Sequence, residues 1–308
     1  MTSPTAPNAE AMATASSRSG LQHRLADRGI DRLLLLLLPA AIFILVLFVY
    51  PFVYGAGLSL QPKGGGIGFG SYVGFFTDAR QVASIWITLK IAVPAALFNV
   101  LASVPIALQL RGKFRGKRLL STMLVVPISL GTVLIAQGLF GFVGNGGWIN
   151  RGLLQLGLVK QPVQIVGTSW AVLLSLVITG FPFAYLLISS YLSGIDPSLE
   201  QAASIMGAGS RQRFTKIILP LLAPGLATTF MLTFILAFSV FPSAVMVGDP
   251  GNRTRVLSIA AWEYFAYDFD YSSASAVAVI MGLIELVILG VVMVWRSTLY
   301  RGSTGGKG

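Results

Sequence analysis

The sequence predicts an all-α integral membrane protein: six transmembrane helices, with a polar helix–turn–helix elbow between the fourth and fifth. Three observations predict it. The 308 residues are 55% hydrophobic and only 11% charged, with mean hydropathy +0.78, whereas soluble domains carry about 25% charged residues. Such a chain cannot cover a water-facing surface. Six apolar runs approach the roughly 20 residues that a helix needs to cross a bilayer. Lysine and arginine gather in alternate connections between those runs.

Residues 1–30 form an Ala/Ser/Thr-rich tail with scattered arginines, 31–300 the membrane domain, and 301–308 a short C-terminal tail. The spans fall at about Leu33–Tyr54, Trp86–Leu110, Leu119–Val143, Ser169–Leu192, Leu221–Val247 and Ser273–Tyr300. The first follows a basic region, as a signal peptide does. Its apolar run is too long for a signal h-region and no A-x-A site closes it, so it reads as an uncleaved span. The third-to-fourth connection contains GNGGWINRGLLQLGL (Gly144–Leu158). Trp148, Ile149, Leu153, Leu154 and Leu156 suit a short helix on the membrane surface. The fifth-to-sixth connection, Gly248–Ser272, joins turn residues to an amphipathic, aromatic-rich run.

Orientation follows from the basic residues. The tail holds Arg18, Arg24, Arg28 and Arg32. RGKFRGKR (Arg111–Arg118) has five basic residues, the elbow has Arg211, Arg213 and Lys216, and the C-terminal end has Arg296, Arg301 and Lys307. These make 15 of the 22. The positive-inside rule puts both termini and the elbow in the cytoplasm. The net charge of +11 is therefore a topology signal, with membrane lipid headgroups rather than nucleic acid as partners.

Composition excludes much chemistry. There is no cysteine and the single histidine, His23, lies in the tail. Thiol catalysis, Ser-His-Asp chemistry and Cys/His metal sites are ruled out, and no cofactor or metal is expected. GSTGGKG (Gly302–Gly308) has the wrong spacing for a P-loop, so the chain binds no nucleotide itself.

Proline recurs within the spans at Pro39, Pro51, Pro94, Pro105, Pro127, Pro182 and Pro242. Membrane helices tolerate it where neighbours or water satisfy the freed carbonyls. Glu285 sits mid-span in IMGLIELVILG. A charge at that depth costs about 2.5–3.5 kcal/mol. It has two readings: a polar contact on a transport pathway, suited to a cation, or an interhelical hydrogen bond to a Ser or Thr. Lys90 can snorkel from near a helix end. Phe181 and Tyr185 flank Pro182, and Ser239 and Phe241 precede Pro242. Rings with a few hydroxyls suit a small organic substrate.

The elbow is LEQAASIMGAGSRQRFTKIILP (Leu199–Pro220). Asp196-Pro197 reads as an N-cap followed by proline at the first helical position. A short helix through Ser198–Met206 is expected. Gly207 and Gly209 bracket a turn, and Ser210 is positioned to cap a second helix through Arg211–Ile218, which Pro220 leads into the fifth span. Ala202 and Ala203 remove bulk, so another protein can approach closely. The pattern of Gln201-Ala202-Ala203, then Gly207, then Ile217, then Leu219-Pro220 resembles the EAA loop of binding-protein-dependent ABC importer permeases. The six spans extend the resemblance over most of the chain. Within the family it looks most like the spermidine/putrescine-type subgroup, with the sugar-type permeases as the alternative. The family's usual Glu falls on Gln201, with Glu200 beside it.

The resemblance implies a multi-pass bacterial inner-membrane permease subunit. It would form half of a translocation pathway with a second permease subunit, here a paralogue. A periplasmic or lipid-anchored binding protein would deliver a polyamine or other small polar compound. A separate ABC ATPase dimer would receive the elbow through Glu200, Gln201, Ala202, Ala203, Met206, Gly207, Ala208, Arg211 and Pro220. Phe181, Tyr185, Ser239, Phe241 and Glu285 are the pathway candidates. A self-contained channel or secondary transporter is the competing class, although no internal repeat of the kind expected there is visible. A membrane enzyme would need a catalytic cluster that the sequence does not contain.

Overall fold

A computed structural model describes residues 32–61, 66–112 and 116–300. Both tails, and part of the RGKFRGKR connection, lie outside the described residues. Among those described there is no strand, and six helices are long and apolar enough to cross a membrane.

The chain divides into two compact units, Met1–Gly57 and Leu58–Gly308. The first contains α1 (Arg32–Ile44) and a π-helical turn (Leu45–Val49), and α2 (Tyr50–Ser59) begins there. Leu37–Ser59 is the first candidate span.

In the second unit α3 (Gly70–Thr77) is a short helix anchored by hydroxyls. Ser59 Oγ and Tyr72 Oη are 2.7 Å apart, and Ser71 Oγ lies 3.0 Å from Ser272 Oγ. The second span is α4 (Ala79–Arg111), longer at its start than the apolar run suggests. Its first turn is capped by Asp78, whose carboxylate accepts from the Arg80 amide at 2.8 Å. Pro94 and Pro105 lie within it without breaking it.

The third span is α5 (Lys117–Val143), kinked at Gly131, whose φ of 70° and ψ of 163° are not helical. Glycine reaches that conformation without steric cost. The surface helix expected after it is α6 (Trp148–Gln155). Asn150 is fully buried there, and its amide bridges the Gly144 carbonyl at 2.9 Å and the Val163 backbone at 2.8 and 3.0 Å. The fourth span is α7 (Ser169–Ser193) and the first elbow helix is α8 (Pro197–Ile205). The second elbow segment, α9 (Ser210–Arg213), runs through a π-helical turn (Phe214–Ile218) into α10 (Leu219–Phe238), the fifth span.

The expected fifth span, Leu221–Val247, is corrected at its end. α10 stops at Phe238, and Pro242 opens a separate short helix, α11 (Pro242–Met246). Proline cannot supply the backbone N–H that would continue the helix. The residues beyond it stay apolar because Ala244 and Val247 are fully buried, so hydropathy alone could not find the break. α12 (Leu257–Ala266) and the sixth span, α13 (Tyr271–Tyr300), complete the chain.

α4, α7 and α10 pack on one another at the centre of this unit, α5 and α11 pack on α7, and α13 lies against α10 and α12. α4 crosses two cores. Ile91, Ala92, Ala95 and Ala96 join the larger one, with Phe234, Phe238 and Val277. Val104, Ala107 and Leu110 join the smaller, with Ile188, Leu192 and Leu222. Small residues let the backbones approach, as expected between membrane helices. A Cβ on Gly225 would stand 2.5 Å from the Tyr191 ring.

Candidate functional site

The elbow begins as the sequence suggests. Asp196 Oδ1 accepts the Ser198 amide at 2.8 Å and Pro197 takes the first helical position. That N–H donation holds the Asp196 carboxyl below the ordinary carboxylate range. Gly207 adopts φ +84°, a left-handed conformation that closes α8. The Ala208 amide donates back to the Ala203 carbonyl at 2.9 Å.

The second segment departs from expectation. Gly209, not Ser210, is the N-cap residue, and its amide donates to Gln212 Oε1 at 3.2 Å. Ser210 Oγ instead accepts from Arg213 at 3.1 Å. Helical backbone from Ser210 to Ile218 leads into the fifth span as expected, with Pro220 inside the continuous run. Proline fits there because it stands at the start of α10, where the π-helical turn has already shifted the hydrogen-bond register.

The elbow is tied inward by one ion pair. Arg111, the last residue of α4, donates to Glu200 Oε1 at 2.6 Å and also to the Ile195 carbonyl. Both side chains are roughly three-quarters buried. Ala203 is buried, whereas Gln201, Ala202 and Arg211 are exposed. Thus Glu200 holds α8 against the second span, and Gln201 faces outward. The sequence missed the apolar character of that outward face: Ile205 is 87% and Met206 81% exposed, with Leu199 also exposed. The period of Leu199, Ile205 and Met206 is too short to separate an exposed patch from a core stripe.

The pathway candidates do not form one cluster. Tyr185 is buried in the smaller core, 3.0 Å from Ser121 Oγ, with Phe181 packed beside it. Ser239 and Glu285 meet elsewhere, where Ser239 Oγ donates to Glu285 Oε1 at 3.0 Å. Phe241 packs on the larger core and against Trp262, ring centres 5.7 Å apart. Glu285 is therefore hydrogen-bonded to the serine that caps the end of α10. Because Ser239 is exposed and Glu285 only half-buried, the pair also remains reachable from outside this chain.

A further polar knot escaped the sequence reading. Arg255 is 3% exposed. It pairs with Glu263 at 2.6 Å and donates to Gln81 Oε1 at 3.1 Å. Arg80 stands 3.9 Å from the same Glu263. The Leu257 amide donates to Thr88 at 2.9 Å, and Ser258 donates to the Val240 carbonyl. The fifth-to-sixth connection is thereby fastened to α4 and to the end of α10.

Residues 66–300 match the family described as the binding-protein-dependent transport system inner membrane component. The chain belongs to that family. The permease is 32% identical over 213 residues to a probable sulfate transport system permease protein, cysT, of Prototheca wickerhamii, covering 69% of this chain and 82% of that one. It is 29% identical over 187 residues to the spermidine/putrescine transport system permease protein PotB of Escherichia coli K12, covering 58% and 64%. Among solved structures, the permease superposes on a chain of a bacterial alginate ABC transporter in complex with an alginate pentasaccharide-bound periplasmic protein. The TM-score is 0.76 at 20% identity, over 92% of this chain and 99% of that one. At that identity the likeness is one of fold. A methionine ABC transporter chain aligns with TM-score 0.52 at 18% identity, over 72% and 95%.

Proposed function

We propose that this permease forms half of the translocation pathway of an ATP-driven importer and that Leu199–Pro220 receives a separate ATPase. The observation that carries the reading is the elbow. It is a capped helix locked to the second span by Arg111–Glu200, presenting Ile205 and Met206 to a partner. A solvent-facing loop has no use for such a patch, whereas a groove on another protein covers it. The distribution of lysine and arginine supports a cytoplasmic elbow and cytoplasmic termini. A second permease subunit, a paralogue, completes the pathway, and an external binding protein delivers the substrate. EAA-type coupling residues are Glu200, Gln201, Ala202, Ala203, Met206, Gly207, Ala208, Arg211 and Pro220. Glu200 acts by positioning α8, and the exposed members make the contact.

The substrate is a small polar compound of the polyamine type. Glu285 supports this, being the single acidic residue inside the six candidate spans, and a carboxylate on the pathway favours a cation. Sulfate is the second reading, favoured by the relative at 32% identity. Co-purification of the permease from its native membrane tests the assembly, with an ATPase and a second permease subunit expected to accompany it. Uptake of labelled spermidine against labelled sulfate by that complex, supplied with its binding protein, separates the substrates. Isolation without any ATPase, or substrate flux through this chain alone, would overturn the reading.

A further inference from the structure

Four aromatic rings form a continuous series from the residue before α11, across α12, to the start of α13. Phe241 meets Trp262 at 5.7 Å, Trp262 meets Phe265 at 5.8 Å, and Phe265 meets Tyr271 edge-on at 5.4 Å. Trp262, Phe265 and Tyr271 are each about half exposed, whereas Phe241 is partly buried. The inner end of the series lies two residues from Ser239, which donates to Glu285. The outer end lies three residues from the exposed carboxylate of Asp268.

We propose that Phe241, Trp262, Phe265 and Tyr271 form a track for an organic ammonium cation, leading from the Asp268 end to the Glu285–Ser239 pair. The proposal rests on the importer reading above and assigns the side chains that guide its substrate. Electron-rich ring faces attract ammonium groups within about 6 Å. A run of touching rings gives such a group successive, exchangeable sites, which suits movement better than one deep site. Interfacial belts also use Trp and Tyr. Two features set this series apart from a belt. Its inner ring is two residues from Ser239, which bonds a carboxylate within a span that lipid contact would penalise. Its position is also fixed from behind, by Ser258 on the Val240 carbonyl and by Arg255 on Glu263 and Gln81. Glu263 is occupied by Arg255 and Arg80. Among the described residues no cationic side chain pairs with Glu285, so the carboxylate at the end of the track is open to a cation.

The test is equilibrium binding of labelled spermidine and putrescine to the co-purified permease–ATPase complex in nanodiscs, without the binding protein. Wild type is expected to bind at least one of them saturably. Glu285→Gln should weaken binding about tenfold to hundredfold, as expected for a lost charged hydrogen bond. Trp262→Leu and Phe265→Leu should each weaken it about twofold to thirtyfold, while Trp262→Phe retains most of it. Retention of the ATPase on purification shows that each variant is folded. If Glu285→Gln weakens binding but both leucine variants bind as wild type, the track is wrong and the Glu285 contact stands. If wild type binds neither polyamine, the track falls. If in addition the same complex takes up sulfate, the polyamine reading falls with it and the importer assignment survives.

Discussion

Removing the Arg111–Glu200 pair should loosen the elbow while leaving the spans in place. The pair is short, 2.6 Å, and its side chains keep only 22% and 26% of their exposure. Truncating one partner of a fully buried pair costs about 3–5 kcal/mol, and an exposed pair is worth about 0–1 kcal/mol. The intermediate burial places Glu200→Ala at about 1–2 kcal/mol. Because Arg111 also donates to the Ile195 carbonyl, Arg111→Ala should cost at least as much. At 1.36 kcal/mol per tenfold, local opening of α8 rises about fivefold to thirtyfold. The assay is amide hydrogen exchange of peptides spanning 197–208 in the assembled complex, with peptides from α7 as an internal reference. The double variant Arg111→Ala/Glu200→Ala should show a coupling energy of about 1–2 kcal/mol, reduced at high salt. Unchanged exchange in Glu200→Ala, or single effects that simply add, would refute the assignment of Glu200 as the clamp of the elbow.

Gly207→Asp and Ala203→Glu should leave membrane insertion intact but abolish substrate-stimulated ATP hydrolysis, because Gly207 occupies φ +84° and Ala203 is buried; wild-type coupling in both would remove the elbow from its role. Gly225→Val should lower the Tm of the purified permease by crowding Tyr191, at the roughly 1–3 kcal/mol typical of overpacking, and Tyr191→Ala should restore it; no rescue would contradict that contact. The Asp196 cap should respond to acid, since the Ser198 amide holds its carboxyl below the ordinary carboxylate range. Its contribution is full above the unfolded value and is lost as pH falls through the lowered folded one, so exchange at the start of α8 should rise below about pH 4 in wild type but not in Asp196→Asn.

Much of the fold was legible because bilayer physics compresses the possibilities. Six apolar runs translate almost directly into helices. The first elbow helix was legible because Asp196, Pro197 and Gly207 act through local backbone chemistry. What escaped the sequence depends on contacts across long separations. Arg111 and Glu200 are 89 residues apart, and Arg255 reaches Gln81 from 174 residues away. No local pattern marks either. The end of the fifth span was misjudged for a related reason: the residues after Phe238 are apolar because they enter the core, and hydropathy cannot separate core from lipid. Glu285 was recognisable as out of place, but its Ser239 partner was one of many hydroxyls.

The continuity of the elbow with the fifth span lets a movement at one end reach the other. Ser210–Phe238 is one 29-residue helical rod, about 43 Å long at 1.5 Å per residue. One end is the turn at Gly207–Gly209. The other stops at Ser239, the residue bonded to Glu285. On the proposed coupling, displacement of the elbow therefore reaches the in-span carboxylate through a single element rather than a chain of loops. The same displacement acts on the second span through Arg111. The π-helical turn at Phe214–Ile218 is an irregular step in the rod and a natural place for it to flex. On that proposal, a rod that ends beside the pathway candidate Glu285, and a clamp that begins at the coupling helix, link the elbow to the pathway without requiring either to unfold.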